Sequence, residues 1–285
     1  MNFAKPMKNF IVFAVLIASF SSFSQKKIEK ESDIKVVYEF NYKKFVESDN
    51  VRTANTILIN KKEEALFTFD KMIRLDSLQQ FRPLESSEVM LYRSPYFFLI
   101  KRKNKEVSHY ETIGNDLLKF NDTVSLNWNL VNEEKLISTY NCKKATLNFL
   151  GRDWVAWYTT EIPVNTGPYK FFGLPGLIIN IQDTESVFEF TAVEIERGDY
   201  SIDSNIKNYF VSEDGEKFHD IEKEEFYEIK TKYYEMSLNE RLKYMNREKE
   251  EGIYYFDIKS TTGEKVRTNR KSKARNFIER NKEEK

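Results

Sequence analysis

From Ile34 onward the chain alternates apolar and polar residues with a period of two, the spacing of a strand with one face in a core. Val36, Tyr38, Phe40 and Tyr42 alternate with Val37, Glu39, Asn41 and Lys43, and residues 34–46 read as the first strand. Residues 56–60 and 65–70 read as two more, joined by Asn60-Lys61-Lys62-Glu63. The stretch 71–84 is polar and irregular and fits either a short helix or an excursion loop ending near Pro83. Strand-like runs resume at 94–100, 107–113, 117–121 and 123–128, with a basic turn at 101–105. Residues 135–149 and 152–162 form the next pair, turning at Leu150-Gly151-Arg152. In the second of these, Trp154, Ala156, Tyr158 and Thr160 share one face, and Val155, Trp157, Thr159 and Glu161 the other. Both faces are apolar near the tryptophans, so a central strand covered on two sides is predicted. Residues 186–196 alternate once more before a turn at Arg197-Gly198-Asp199.

The period changes after Tyr200. Phe226, Ile229 and Tyr233 fall at i, i+3 and i+7 among charged residues, which predicts an amphipathic helix over 221–234. Ser237-Leu238-Asn239-Glu240 is a capping box opening a second helix with Leu238, Leu242 and Met245 on one face, and Gly252 is its stop. A last strand is predicted at 253–258. The pattern as a whole predicts a mainly β fold: an antiparallel, strongly curved sheet, either an open barrel or a sandwich, with a helical C-terminal segment. The expected division is a signal peptide at 1–24, the β domain at 25–200, a helical segment at 201–260 and a basic, disordered tail at 261–285, whose main apolar pair is Phe277 and Ile278.

One stretch stands apart: residues 165–183, NTGPYKFFGLPGLIINIQD. Pro175 suits position i+1 of a β-turn and Gly176 the positive φ of a type II turn at i+2. Gly173 permits a bend or a close backbone approach. The aliphatic run 177–181 favours a strand buried on both faces. The string Gly173-Leu174-Pro175-Gly176-Leu177-Ile178, preceded by GPYKF and by Trp154 to Thr159, resembles the GLPGLI family of Gram-negative envelope proteins. Tyr140 to Ala145, Gly151-Arg152, Glu161-Ile162-Pro163 and Trp128 also fit that pattern, which is dense over 126–190. The resemblance implies an exported protein but no activity, cofactor or catalytic residue.

Charge and composition narrow the classes. Lys+Arg and Asp+Glu number 45 each, so no general attraction to nucleic acid or a membrane surface is expected. Lys5 and Lys8 precede an apolar run over 10–20, followed by Ser22 and Ser24 at the −3 and −1 positions of a signal-peptidase site, which predicts export to the periplasm or envelope. The run is shorter than the roughly 20 residues of a span, and no transmembrane segment is expected after cleavage. Cys142 is the single cysteine, so it has no internal disulfide partner; alternation puts it on one face with Tyr140, where core packing is the ordinary role. There are two histidines, His109 and His219, and no metal-ligand spacing, no HExxH, no G-x-S-x-G and no S-x-x-K. No cofactor and no metal is expected.

Two function classes remain from the sequence. In one, the chain is a non-enzymatic binding or accessory protein, linked to outer-membrane uptake, that holds an apolar or peptide ligand, or an envelope protein, through an aromatic face. Trp154, Trp157, Tyr158, Tyr169, Phe171 and Phe172 would form that face, next to the GLPGLI turn. In the other, it is a hydrolase or metal-dependent enzyme using Asp153, Asp183, His109 or Cys142. A purely structural envelope role would need neither.

Overall fold

The computed structural model describes residues 33–79, 98–114, 116–202, 218–245, 275 and 277–279. The signal peptide, the helix stop at Gly252, the strand at 253–258 and most of the tail lie outside the described residues. What is described is one large antiparallel sheet that does not close into a barrel, with short helices.

The sheet consists of two meanders. The first runs through β1 (Asp33–Lys43), β2 (Val51–Lys61), β3 (Glu64–Phe69), β4 (Phe98–Lys103), β5 (Glu106–Ile113) and β6 (Asp116–Thr123). The second runs through β7 (Asn129–Ile137), β8 (Tyr140–Phe149), β9 (Arg152–Thr159), β10 (Leu177–Asp183) and β11 (Phe188–Gly198). They join where the first strand of one meets the last of the other, β1 against β11, in a register from Asp33↔Gly198 to Tyr42↔Phe188. A two-residue β12 (His219–Asp220) adds a parallel pairing to β6, so the order is β12-β6-β5-β4-β3-β2-β1-β11-β10-β9-β8-β7.

Alternation decides which face is inside. Ile34, Val36, Tyr38, Phe40 and Tyr42 are all buried, and the residues between them are half-buried. Phe40 sits opposite Phe190 in the register, with ring centroids 4.3 Å apart. A stacked aromatic pair across an antiparallel ladder is among the stronger cross-strand contacts. The same face continues through Leu58, Phe67, Ile100 and His109 on one side and Ile181, Ala156 and Ala145 on the other.

The chain departs from the sequence reading at several places. Residues 123–128 carry no strand beyond Thr123. The run 135–149 is two strands, because the chain reverses at Ser138, which takes φ 53°. Serine carries no strong left-handed signal, so the reversal inside a continuous strand-like pattern was invisible. The stretch after β3 is helical, α1 (Asp70–Gln79). Helix α2 (Lys223–Glu235) buries Phe226 and Tyr233 as expected, but its third buried residue is Lys230, beside a half-buried Ile229. Helix α3 (Leu238–Met245) begins with the expected capping box: the Ser237 amide donates to Glu240, and the Glu240 amide donates to the Ser237 hydroxyl. The side chains of Leu242 and Met245 lie outside the described residues.

The concave face is filled by the connection between β9 and β10. Tyr169 packs its ring against Phe67, Phe98 and His109, from β3, β4 and β5. Two residues on, Phe171 packs 4.7 Å from Trp154 of β9 and 5.9 Å from Phe149 of β8. Strands distant in the sheet order therefore meet the same short segment, which fixes how tightly the sheet curls. Polar contacts pin it further: Arg102 of β4 donates to the Thr166 hydroxyl at 3.2 Å, Trp128 donates to the Phe172 carbonyl at 2.8 Å, and Tyr38 donates to the Ile178 carbonyl at 2.7 Å.

Glycine at 176 is required for a reason other than the expected one. Its φ is not positive; positive φ occurs at Gly173 (93°) and, unexpectedly, at Tyr169 (54°). A Cβ on residue 176 would lie 2.0 Å from the Thr159 carbonyl oxygen, and one on Gly167 would lie 2.6 Å from Ile178. The GLPGLI corner is a place of close backbone packing.

Candidate functional site

Beneath α2, the inner face of β5 reads Val107, His109, Glu111, Ile113, all buried, so a histidine and a carboxylate stand on an otherwise apolar face. Burying them unpaired would be costly, and each has a partner. His109 Nε2 lies 3.0 Å from Glu111 Oε2, and Lys230 Nζ, reaching down from α2, donates to the same oxygen at 2.8 Å. The imidazole is stacked on Phe120, with centroids 4.8 Å apart.

A second carboxylate completes the cluster. Glu279 is buried, and its Oε1 accepts from the Tyr169 hydroxyl and from Lys170 Nζ, while its Oε2 accepts from the Tyr227 hydroxyl. Lys170, fully buried, comes from the β9–β10 connection and Tyr227 from α2. The segment carrying Glu279 is held by its backbone too: Arg152 Nε and Nη2 donate to the Phe277 carbonyl at 3.3 and 3.2 Å. Arg152 also donates to Asp183 at 2.6 Å and Glu185 at 3.1 Å. Within the stretch expected to be a disordered tail, Ile278 and Glu279 are thus buried and Phe277 half-buried, with Ile278 part of the core.

Burial dominates the electrostatics. It pulls the His109 pKa down to about 4 against the opposing pull of Glu111, so the ring is neutral at pH 7. Burial pushes Glu279 up, but Lys170, His109 and the Tyr169 hydroxyl outweigh it and hold the carboxyl at about 2. Glu111 is likewise lowered, with burial outweighed by Lys230 and His109. Burial, then Glu279, raises Tyr169 and Tyr227 well above the ordinary phenol range, so both remain donors. A cavity of about 10 Å³, bounded by Phe98, His109, Tyr169, Tyr227 and Glu279, is left at the centre. That is room for about one water molecule. His109 Nδ1 has no protein partner.

The residues read from the sequence are distributed differently. Trp154 and Tyr158 are buried on the inner face, with Phe171 against Trp154. Tyr169 belongs to the polar cluster, and Phe172 lies under the Arg102 guanidinium at 4.7 Å. Trp157 is on the opposite face, half-buried, with Lys135 and Lys144 over its ring at 5.6 and 5.9 Å. The structure therefore brings five of the six aromatic residues to one face and leaves Trp157 behind it. Leu174, Leu177 and Ile178 are buried, and Gly173 and Pro175 are exposed.

The four residues of the enzyme reading do not converge. Asp183 caps the β10–β11 turn, accepting from the Val187 and Phe188 amides at 2.7 and 3.0 Å. Asp153 is exposed and accepts from Asn148. Cys142 is fully buried in β8, and burial pushes its thiol up to about 11, far from a thiolate nucleophile. Among the described residues, no group of three or more His, Cys, Asp or Glu is placed to hold a metal.

Glu111, Tyr227, Lys230 and Glu279 were missed as site residues: charged residues ordinarily face solvent, and Tyr227 lies off the apolar stripe of Phe226, Ile229 and Tyr233. Glu111 carried a signal: it shares a strand face with Val107, His109 and Ile113. Arg152 and Lys170 sit within the strings that fit the GLPGLI pattern, without a role attached.

The comparisons with known proteins bear on this same region. A family described as a protein of unknown function, Porph_ging, matches residues 151–180. That span contains Arg152, Tyr169, Lys170 and the GLPGLI corner. No curated protein matches the chain. Among solved structures, PNGF-II is similar in two crystal forms, at 16% and 15% identity with TM-scores of 0.51 and 0.50. The match covers 73% of this chain but 34% of PNGF-II, so the chain spans about a third of that protein's length and shares a fold with part of it. A LolA superfamily protein from Nitrosomonas europaea and a putative outer-membrane lipoprotein-sorting protein domain from Vibrio parahaemolyticus, each 10% identical, superpose at TM-scores of 0.27 and 0.30. They cover 60% and 63% of this chain and 89% and 92% of theirs, too loosely to constrain it.

Proposed function

We propose that the chain is an exported, non-enzymatic binding protein of the cell envelope, related to the GLPGLI family, which holds a ligand inside its curved sheet beside the GLPGLI corner. The observation that carries this is the way the concave face is occupied. One part is filled by the β9–β10 connection, and beside it lie three residues from far along the chain, 277–279, seated on side chains of the sheet, the connection and α2. A concave aromatic surface with convergent polar groups is the ordinary form of a ligand site. The apolar N-terminal run supports export, and no helix among the described residues is long and apolar enough to cross a membrane.

Native mass spectrometry of the chain purified from its own periplasm, with lipid and peptide analysis, tests this. A stoichiometric co-purifying ligand is expected, in place of residues 277–279. Finding the chain empty at every stage of purification, with residues 277–279 always seated, would sink it. The enzyme reading keeps one favourable observation, the unpartnered His109 Nδ1 at a water-sized cavity. Among the described residues, the polar side chains lining that cavity, those of Tyr169, Tyr227, Lys230 and Glu279, are each engaged with a neighbour.

A further inference from the structure

The geometry points to the ligand's chemistry: we infer that Arg152, Tyr169, Lys170 and Tyr227 form a receptor for a short peptide segment of the pattern apolar-apolar-acidic, and that Phe277-Ile278-Glu279 fills it in cis. The inference rests on the binding-protein reading above and gives it a substrate class. Four contacts define the receptor. The acidic side chain meets three donors on two carboxylate oxygens, from Lys170, Tyr169 and Tyr227. Charge-assisted bonds of this kind are the strong ones, and three donors aimed at one carboxylate leave little tolerance for a neutral replacement. The middle residue is buried in the main core at Ile278. The first residue's ring lies 5.7 Å from Tyr234 with Lys230 Nζ 5.3 Å over it. Finally, Arg152 places two N–H groups on the Phe277 carbonyl.

That last contact selects a peptide. A fatty acid would supply the carboxylate and the apolar body, but it has no carbonyl two residues before the acid for a guanidinium to grip. The recognising groups are themselves held in place. Arg152 is anchored by Asp183 and Glu185, and His109 braces the floor of the pocket through Glu111 and Lys230. His109, whose Nδ1 has no protein partner, lines the water-sized cavity beside Glu279. A segment from another chain with the same pattern has the same four contacts to offer.

The test is binding in trans to the full chain. A labelled peptide spanning residues 274–282 is titrated into the wild-type chain and into Ile278→Asp, which cannot bury its own segment. The peptide is expected to bind the variant at least about tenfold tighter than the wild type, because the wild type is self-occupied. Changing the glutamate of the peptide to glutamine is expected to weaken binding by about tenfold or more. Adding Lys170→Met to the variant is expected to abolish the distinction between the two peptides. Equal binding of the two peptides to Ile278→Asp, or competition by decanoate as effective as by unlabelled peptide, would overturn the inference. If Ile278→Asp does not fold, Glu279→Gln takes its place: the glutamate peptide is expected to raise its Tm and the glutamine peptide to leave it unchanged, and equal shifts would overturn the inference. The outcomes separate from those of the function itself. A non-peptide ligand co-purifying with the chain, with no peptide binding in trans, would remove the peptide receptor and keep the binding protein; peptide binding with an always-empty native chain would do the reverse.

Discussion

Among the described residues, two segments fill the hollow of the sheet, and close backbone packing is found in one of them only. The β9–β10 connection is fixed by close packing, Gly176 against the Thr159 carbonyl, Gly167 against the Ile178 side chain and Tyr169 in a left-handed conformation, and by hydrogen bonds from Arg102 and Trp128. The 277–279 segment is locked by side chains: a carboxylate on Lys170 and two phenols, and a guanidinium on a carbonyl. Sterically packed backbone has no alternative partner and stays. Charges and hydroxyls find equivalent partners in any chemically similar segment, so what they hold is exchangeable. The first segment is part of the receptor, and the second has the character of its ligand.

That contrast breaks most easily at Gly176. Gly176→Ala is expected to cost at least about 4 kcal/mol, or to leave no cooperative transition in a denaturant titration, because the contact is with fixed backbone. A cost below that of Lys170→Met would collapse the comparison. Lys170→Met is expected to cost about 3 kcal/mol by stranding the Glu279 carboxylate in the core, and the added change Glu279→Gln is expected to recover most of it. A double-mutant cycle in denaturant reads both. Additive effects would mean the pair does not hold the segment.

Acid sharpens the contrast further. The His109 pKa is depressed to about 4, so between pH 6.5 and 4 the unfolded chain takes up a proton that the folded chain refuses. Stability is complete above about 6.5 and is expected to fall by about 3 kcal/mol as pH drops through that window. The groups facing His109 are Glu111 on its own strand, Lys230 and Tyr227 from α2, Tyr169 and Lys170 from the connection, and Glu279. Glu279, held at about 2, contributes stability above pH 4.5 that is lost as pH falls toward 2. Glu279→Gln is therefore expected to flatten the lower window and keep the upper one, as measured by Tm against pH. The smallest effect is expected at Trp157→Ala, on the opposite face, at about 1 kcal/mol with unchanged peptide binding.

The fold was largely readable because its inner face repeats with a strict period of two from Ile34 to Tyr42 and again along β9 and β11. The β7–β8 reversal was hidden because Ser138 resembles any strand serine. The corner's glycines were visible as turn residues, yet the crowding at Gly176 depends on Thr159, which only the β9–β10 ladder places there. The site was harder still. Its acids and bases come from β5, the connection, α2 and residue 279, and nothing local distinguishes Lys170 or Lys230 from a solvated lysine. Only Glu111, two residues from His109 on an apolar strand face, carried a local sign of burial.

The joint between the two meanders has a consequence for when this chain acquires its shape. β1 opens the described fold, yet its ladder with β11 pairs Lys35 with Glu196, 161 residues away. Contacts so remote in sequence form late and slowly, because the intervening loop must be closed before they repay it. A chain emerging end-first, from a ribosome or through a translocation channel, holds β1 with one neighbour until residue 198 has followed. The hollow that grips residues 277–279 is therefore complete only once β11 has paired with β1 and α2 has followed it.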